Sequence, residues 1–298
     1  MRWKSDLILL LVAAVWGTGF VAQRLATTQL STFYYNAGRF LVAALAIFAL
    51  DLLQRQRLPQ AAIDAGAQRA AARRLPWMAL AGVLLFAAAG FQQAGLVTTS
   101  IGNASFITGL YVVLVPLILL LVWQQRVGWL SWVAVGVAVL GVMLLSLQGE
   151  LRLAPGDLLE LAGAVMWAMH IILVGRLAGQ GVDVLALSLV QFITCGLLNL
   201  SFALIQDPQG LGSLAAAWPV VLYSGLLPIG LGFTLQIAGQ KHAPPVDAAI
   251  ILSMEAVFAT LFGFLFLQEM LSARQLLGCA LILAAMILSQ IKGAETPA

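Results

Sequence analysis

Ten stretches of this chain run apolar for about 20 residues, each bounded by a short polar break. That is the length an α-helix needs to cross the hydrocarbon core of a bilayer. In lipid the backbone must satisfy its own N–H and C=O groups, so only helices and closed barrels span. Strands of a barrel alternate apolar and polar residues, and these runs are continuous. The chain predicts an all-α integral membrane protein with ten transmembrane helices. They lie near 6–26, 32–53, 76–95, 100–123, 128–147, 156–178, 184–205, 217–238, 244–267 and 272–291. Only 9% of the residues are charged, against about 25% in soluble proteins, so a water-facing surface cannot be built. The basic start before the first run resembles a signal peptide. Its apolar part is long, lacks a clear A-x-A site and is followed by further spans, so it reads as a retained first span.

The links are short except 54–75, an Ala- and Arg-rich segment expected to be a surface helix or loop. With the N-terminus in the cytoplasm, the inner side holds Arg2, Lys4, Arg55, Arg57, Arg69, Arg73, Arg74, Arg126, Arg176, Lys241 and Lys292. The outer side holds Arg24, Arg152 and Arg274, while Arg39 lies within the second span. This positive-inside bias predicts a multi-pass protein of the plasma (bacterial inner) membrane with both termini cytoplasmic. It also explains a pI near 9.1 without nucleic acid.

The chain echoes itself. Asp6 and Trp16 stand ten residues apart in the first span, as do Asp157 and Trp167 in the sixth. Both spans continue to Arg-Leu-Ala, at 24–26 and 176–178. Asn103-Ala104 in the fourth span matches Asp247-Ala248 in the ninth, and the same offset pairs Tyr111 with Glu255. A repeat of five spans must enter the membrane from the opposite side, giving two inverted five-helix repeats. That architecture belongs mainly to transporters, with the substrate site near the midplane.

Several segments carry a family resemblance. They are Ala14-Val15-Trp16-Gly17-Thr18-Gly19-Phe20, Gly38-Arg39-Phe40-Leu41, Asn103 to Leu110, and Leu265-Phe266-Leu267-Gln268-Glu269 leading to Gly278. In order and spacing the chain resembles the EamA branch of the drug/metabolite transporter superfamily, as two units in tandem, 5–148 and 155–291. The resemblance implies a ten-helix bundle with a central cavity. It also implies secondary transport of small metabolites, often export of amino acids or related compounds. The family often reads Glu-Pro in the ninth span; this chain has Glu255-Ala256. Proline is the usual cause of a sharp kink, so this helix is expected to be straighter.

Polar groups within the spans are the site candidates, because a mid-membrane charge is costly unless paired, neutralised or facing a cavity. Glu255, near mid-depth, could carry a transported proton, hold a substrate amine or tie helices together. Asp247, two turns earlier, could merely complement a helix N-terminus. Arg39 could bind a substrate carboxylate, which suits its guanidinium fork, or anchor neighbouring helices; Tyr35 and Asn36 share its face. Trp16 and Trp167 could be aromatic cavity walls or core packing, and His170 a proton relay or a hydrogen-bonded core residue. Tyr111 and Asn103 enter as symmetry partners of Glu255 and Asp247. Gln92, Gln93, Ser105, Thr108, Gln191, Asn199 and Gln236 either line a cavity or bond helix to helix. Gly17 and Gly19 in the first span, with Gly225, Gly230 and Gly232 around Pro228 in the eighth, suit close packing or bending. Cys195 and Cys279, inside apolar runs, read as small core residues rather than a disulfide.

No nucleotide-binding loop or H-E-x-x-H occurs, so no cofactor and no metal are expected. The expected partners are a small-molecule substrate and the lipid bilayer, with no nucleic acid; a homodimer is open. The leading reading is a secondary transporter working by alternating access. The alternatives are an integral membrane enzyme using Glu255 and His170, and a noncatalytic membrane scaffold.

Overall fold

The computed structural model describes residues 2–56, 65–99, 101–146, 155–267 and 272–292. The central part of the long link, 57–64, and the expected junction of the halves, 147–154, lie outside the described residues. Every regular element described is a helix. In order they are α1 (Arg2–Gly17), α2 (Gly19–Thr27), α3 (Thr32–Arg55), α4 (Ala65–Gly95), α5 (Ile101–Gly109), α6 (Tyr111–Trp123), α7 (Trp129–Ser146), α8 (Pro155–Gly179) and α9 (Val184–Gln206). A 3₁₀ turn follows at Gly210–Gly212, then α10 (Ser213–Ala216), α11 (Trp218–Ser224), a π-helix at Gly225–Phe233 and α12 (Thr234–Gln240). Last come α13 (Pro245–Leu252), α14 (Glu255–Leu267) and α15 (Ala273–Lys292). Joined across their breaks, nine helices among the described residues are long and apolar enough to cross a membrane, and the fifth, Trp129–Leu145, is a shorter apolar helix. All ten predicted positions are thus occupied by apolar helix. The third helix begins eleven residues before the predicted start and runs through Pro76; alanine and arginine are good helix formers, and spanning helices tolerate proline.

Local chemistry sets several ends. Ser31 accepts a hydrogen bond from the Tyr34 N–H at the start of α3 (3.4 Å), and Asp183 accepts from the Ala186 N–H at the start of α9 (2.8 Å). Side-chain caps of this kind satisfy donors that a helix start leaves open. Gln124 ends α6 in the left-handed region, with φ 53°.

The polarity is reversed from that of a soluble protein. Leu121, Leu158 and Ile205 are exposed on the outer faces, while Asn36, Glu160, His170, Gln191 and Gln236 are fully buried. The fifth span packs along the tenth and the second along the seventh. The third packs against the sixth and seventh, the first against the eighth and ninth, and the fourth against the sixth. Between α7 and α15 the backbones touch: a Cβ on Gly278 would fall 2.7 Å from the Gly141 carbonyl oxygen and 2.9 Å from the Leu145 nitrogen. Small residues at such crossings permit the close packing that holds membrane helices together. Gly278→Leu is expected to cost at least about 1–3 kcal/mol by overpacking. In detergent it should lower the unfolding midpoint by several degrees, with Gly278→Ala in between.

Four spans are interrupted near their middles. The first breaks at Thr18, whose hydroxyl donates to the Val15 carbonyl (2.6 Å). The fourth breaks at Leu110, between α5 and α6, and the eighth widens into its π-helix around Pro228. The ninth breaks at Ser253–Met254, so the expectation of a straighter ninth helix is corrected. No proline is needed there. The Ser253 hydroxyl donates to the Ile250 carbonyl (2.7 Å), and the Met254 and Ala256 N–H groups bond three residues back (3.1 and 3.2 Å). A serine reaching back to the preceding turn, with 3₁₀ bonds, ends one helix and begins the next.

Candidate functional site

The breaks converge on one cavity, lined from the first, second, third, fourth, sixth, eighth and ninth spans. A Cβ on Gly17 would fall 2.8 Å from the Ala259 nitrogen and 3.0 Å from the Glu255 carbonyl oxygen. Only glycine lets the break in the first span sit directly on the start of α14. Glu255 is the first residue of α14 and Tyr111 the first of α6, so both stand at half-helix N-termini. There the helix dipoles favour negative charge. The Tyr111 hydroxyl donates to Glu255 Oε1 at 3.3 Å, joining the two residues that the internal echo pairs.

Aromatic rings form a second wall. Phe233, on the π-helix, lies between Trp16 (centroids 4.8 Å apart) and Trp167 (5.7 Å, interplanar 15°). Trp16 Nε1 donates to the Pro228 carbonyl at 2.9 Å. Such local rewinding often marks a functional site. Behind the wall sits His170, edge-on to Phe233 and bonded through Nε2 to Gln191 Oε1 at 3.0 Å.

Arg39 supplies the cation. It is 3% exposed, yet it lines the cavity. Its guanidinium carbon lies 4.6 Å from the centre of the Tyr35 ring and 5.4 Å from that of Phe40. Tyr35 is itself fixed by Ser224 (2.8 Å), and Asn36 by the Ala89 carbonyl (3.1 Å). Among the described residues no carboxylate is salt-bridged to Arg39.

Of the sequence candidates, Trp16, Arg39, Tyr111, Trp167 and Glu255 share the wall of this cavity. His170 and Asn103 are not on it: His170 packs behind the rings, and Asn103 lies in α5 some residues before Thr108. Among the neutral polar residues, Gln92, Thr108 and Gln236 line the cavity. Gln93 instead donates to the Gln23 carbonyl (3.1 Å), and Asn199 to the Cys195 carbonyl (2.9 Å). Asp247 sits in the first turn of α13 and is salt-bridged to Arg2 (2.6 Å). Cys195 and Cys279 are free thiols.

Sequence reasoning passed over Phe20, Gln23 and Phe233 on the wall, and Glu160 behind it. Glu160 stands three residues after Asp157 in the sixth span, and listing every acid within the apolar runs finds it. No group of three or more His, Cys, Asp or Glu side chains among the described residues is placed to hold a metal ion. The wall can cradle a flat apolar group between rings, meet a carboxylate with a guanidinium, and exchange a proton at a carboxyl.

The model of the EamA-like transporter family matches residues 3–147 and again 154–290. A relative from Archaeoglobus fulgidus, named an uncharacterized transporter, is 28% identical over 98% of this chain and 87% of its own length. An uncharacterized transporter of Synechocystis is 23% identical over 96% of this chain and 89% of its own. One crystal structure shares the fold, with TM-score 0.78 and 18% identity over 99% of this chain and 100% of the other.

Proposed function

This chain belongs to the EamA-like transporter family and is a multi-pass membrane transporter, and from that premise we propose that it exports amino acids or closely related small metabolites by alternating access. The observation that carries this reading is the cavity where the broken spans meet. It sets an arginine that no described carboxylate salt-bridges, a tyrosine–glutamate pair and two tryptophans around one cavity. In the proposed binding mode Arg39 takes the substrate carboxylate as a fork. The Trp16, Phe233 and Trp167 rings take an apolar or aromatic side chain. Glu255 takes up and releases a proton exchanged for the substrate.

Halves 5–148 and 155–291 are proposed to rock about this site as inverted repeats. Three features support that. The family model matches the chain twice. The packing of the third and fourth spans on the sixth reappears, five spans on, as that of the eighth and ninth on the first. The break at Leu110 falls 144 residues before Met254, the same offset that pairs Tyr111 with Glu255. The bacterial inner membrane with cytoplasmic termini is the proposed setting, on the distribution of Lys and Arg.

Counterflow in proteoliposomes tests the reading. Vesicles preloaded with one amino acid of a panel should take up its labelled form unchanged, best for aromatic and large apolar side chains. A chemically altered product would favour the enzyme alternative, and no uptake across the panel would remove amino acids as the substrate class.

A further inference from the structure

Glu160 is an acid that this reading leaves without a task. It lies in α8, is fully buried, and is not on the cavity wall. Its Oε2 accepts a hydrogen bond from the Thr108 hydroxyl at 3.1 Å, and Thr108 Oγ1 in turn accepts from Gln92 Nε2 at 3.0 Å. Thr108 and Gln92 both line the cavity. The other oxygen, Oε1, has no partner. It faces Gly95, where an added Cβ would fall 2.9 Å away.

Among the described residues no cation is salt-bridged to Glu160; Arg24 of α2 comes near but donates to the Leu96 carbonyl, next to Gly95 (2.5 Å). On its own helix the neighbouring ionisable group is Asp157, one turn away, which accepts a hydrogen bond from Thr99. Of the elements packed on α8, α5 and α12 carry no ionisable residue and α6 carries only Tyr111. The arginines of α4, Arg69, Arg73 and Arg74, lie more than 20 residues from Gly95 along that helix. The acid of α13, Asp247, is paired with Arg2 near the N-terminus. A carboxylate taken out of water without a cation is costly, whereas a proton satisfies it.

We infer that Glu160 is a second proton-binding carboxyl, read out in the cavity through Thr108 and Gln92. The inference rests on the transport reading above. The proton comes from water at the end of the bundle opposite the N-terminus. It forms an O–H bond on the Glu160 carboxyl and returns to water on release; no other bond is made or broken. A hydroxyl has one hydrogen and two lone pairs. While Glu160 is charged, the Thr108 hydrogen is committed to it. Once Glu160 is protonated, its own O–H can donate to Thr108 Oγ1. The Thr108 hydrogen is then free for the cavity. The proton therefore changes what the wall offers a substrate without touching it.

Infrared pH titration of the full-length protein in lipid vesicles tests this without any substrate. Glu160→Gln should remove one titrating carboxyl band, distinct from the band lost in Glu255→Gln. Thr108→Val should move the Glu160 band to the higher frequency of a carboxyl with a lost hydrogen bond, and Thr108→Ser should restore it. Vesicles carrying a gradient of about one pH unit test the coupling, because each proton moved per substrate contributes about tenfold in accumulation. With labelled phenylalanine, Glu160→Gln should lower the steady-state gradient about tenfold while counterflow continues. Where the amide variant does not fold, Glu160→Asp serves instead, and it should move the Glu160 band rather than remove it; an unmoved band overturns the inference. An unchanged band pattern in Glu160→Gln overturns the inference, and so does a lost band with full accumulation. Wild-type vesicles that show no counterflow with the panel would instead remove amino acids as the substrate class; the Thr108 band shift then decides whether Glu160 is the linked carboxyl.

Discussion

Arg39→Ala is expected to raise the KM for amino acid counterflow by about 30-fold or more. Removing one member of a buried charge pair costs about 2–5 kcal/mol. The pair here would be completed by the substrate, since no described carboxylate is salt-bridged to the guanidinium. The loss should be specific to the carboxylate: an analogue with a carboxamide in its place should bind the wild type and the variant alike. Arg39→Lys keeps the charge but not the planar fork or its stacking over Tyr35, so it should recover only part of the affinity. Equal KM values in wild type and Arg39→Ala, with the protein folded, would return Arg39 to the role of helix anchor.

Glu255→Gln is expected to abolish stimulation of transport by a pH gradient while counterflow persists. The amide is close in size and can still accept from Tyr111, so the contact between α6 and α14 is preserved, but it cannot carry a proton. Initial rates in proteoliposomes, with and without the gradient, read this directly. A variant that responds to the gradient as fully as the wild type would show that Glu255 ties helices together and does not couple. This variant and Glu160→Gln separate the two acids. The cavity acid is expected to control the response to the gradient as a whole, the acid behind the wall one proton's share of it.

Hydropathy made the spans legible because lipid enforces it: a spanning backbone must bond to itself, and only a long apolar helix does so cheaply. The same rule flagged Arg39 and Glu255, whose charges stand out at mid-depth. It says nothing about where a helix pauses. The breaks at Leu110 and at Ser253–Met254 contain no proline, and a serine hydroxyl turned back on its own helix looks from sequence like any other. The burial of Glu160 was illegible for another reason. An acid a few residues inside a span usually sits at the membrane interface; its full burial comes from Gly95 and Thr108, which belong to the third span and the fourth. Of the two readings open for His170, the fold matches the hydrogen-bonded core residue: it bonds Gln191, and Phe233 from the eighth span stands edge-on to its ring, between it and the wall. Contacts between distant spans decided each of these cases.

The π-helix at Gly225–Phe233 has a bearing on how the eighth span is wound. A π turn closes on the fifth residue instead of the fourth, so the span holds more residues in the same height than an α-helix would. Each residue of an α-helix advances about 100° around the axis. Were the wide turn tightened to α with every residue kept, the side chains beyond Phe233 would swing around the axis by at least about one such step, and Gln236 would leave the cavity wall. The slack in the winding thus sets which side chains of α12 face the substrate, and passing it along the helix would rotate them in or out while the span keeps its ends.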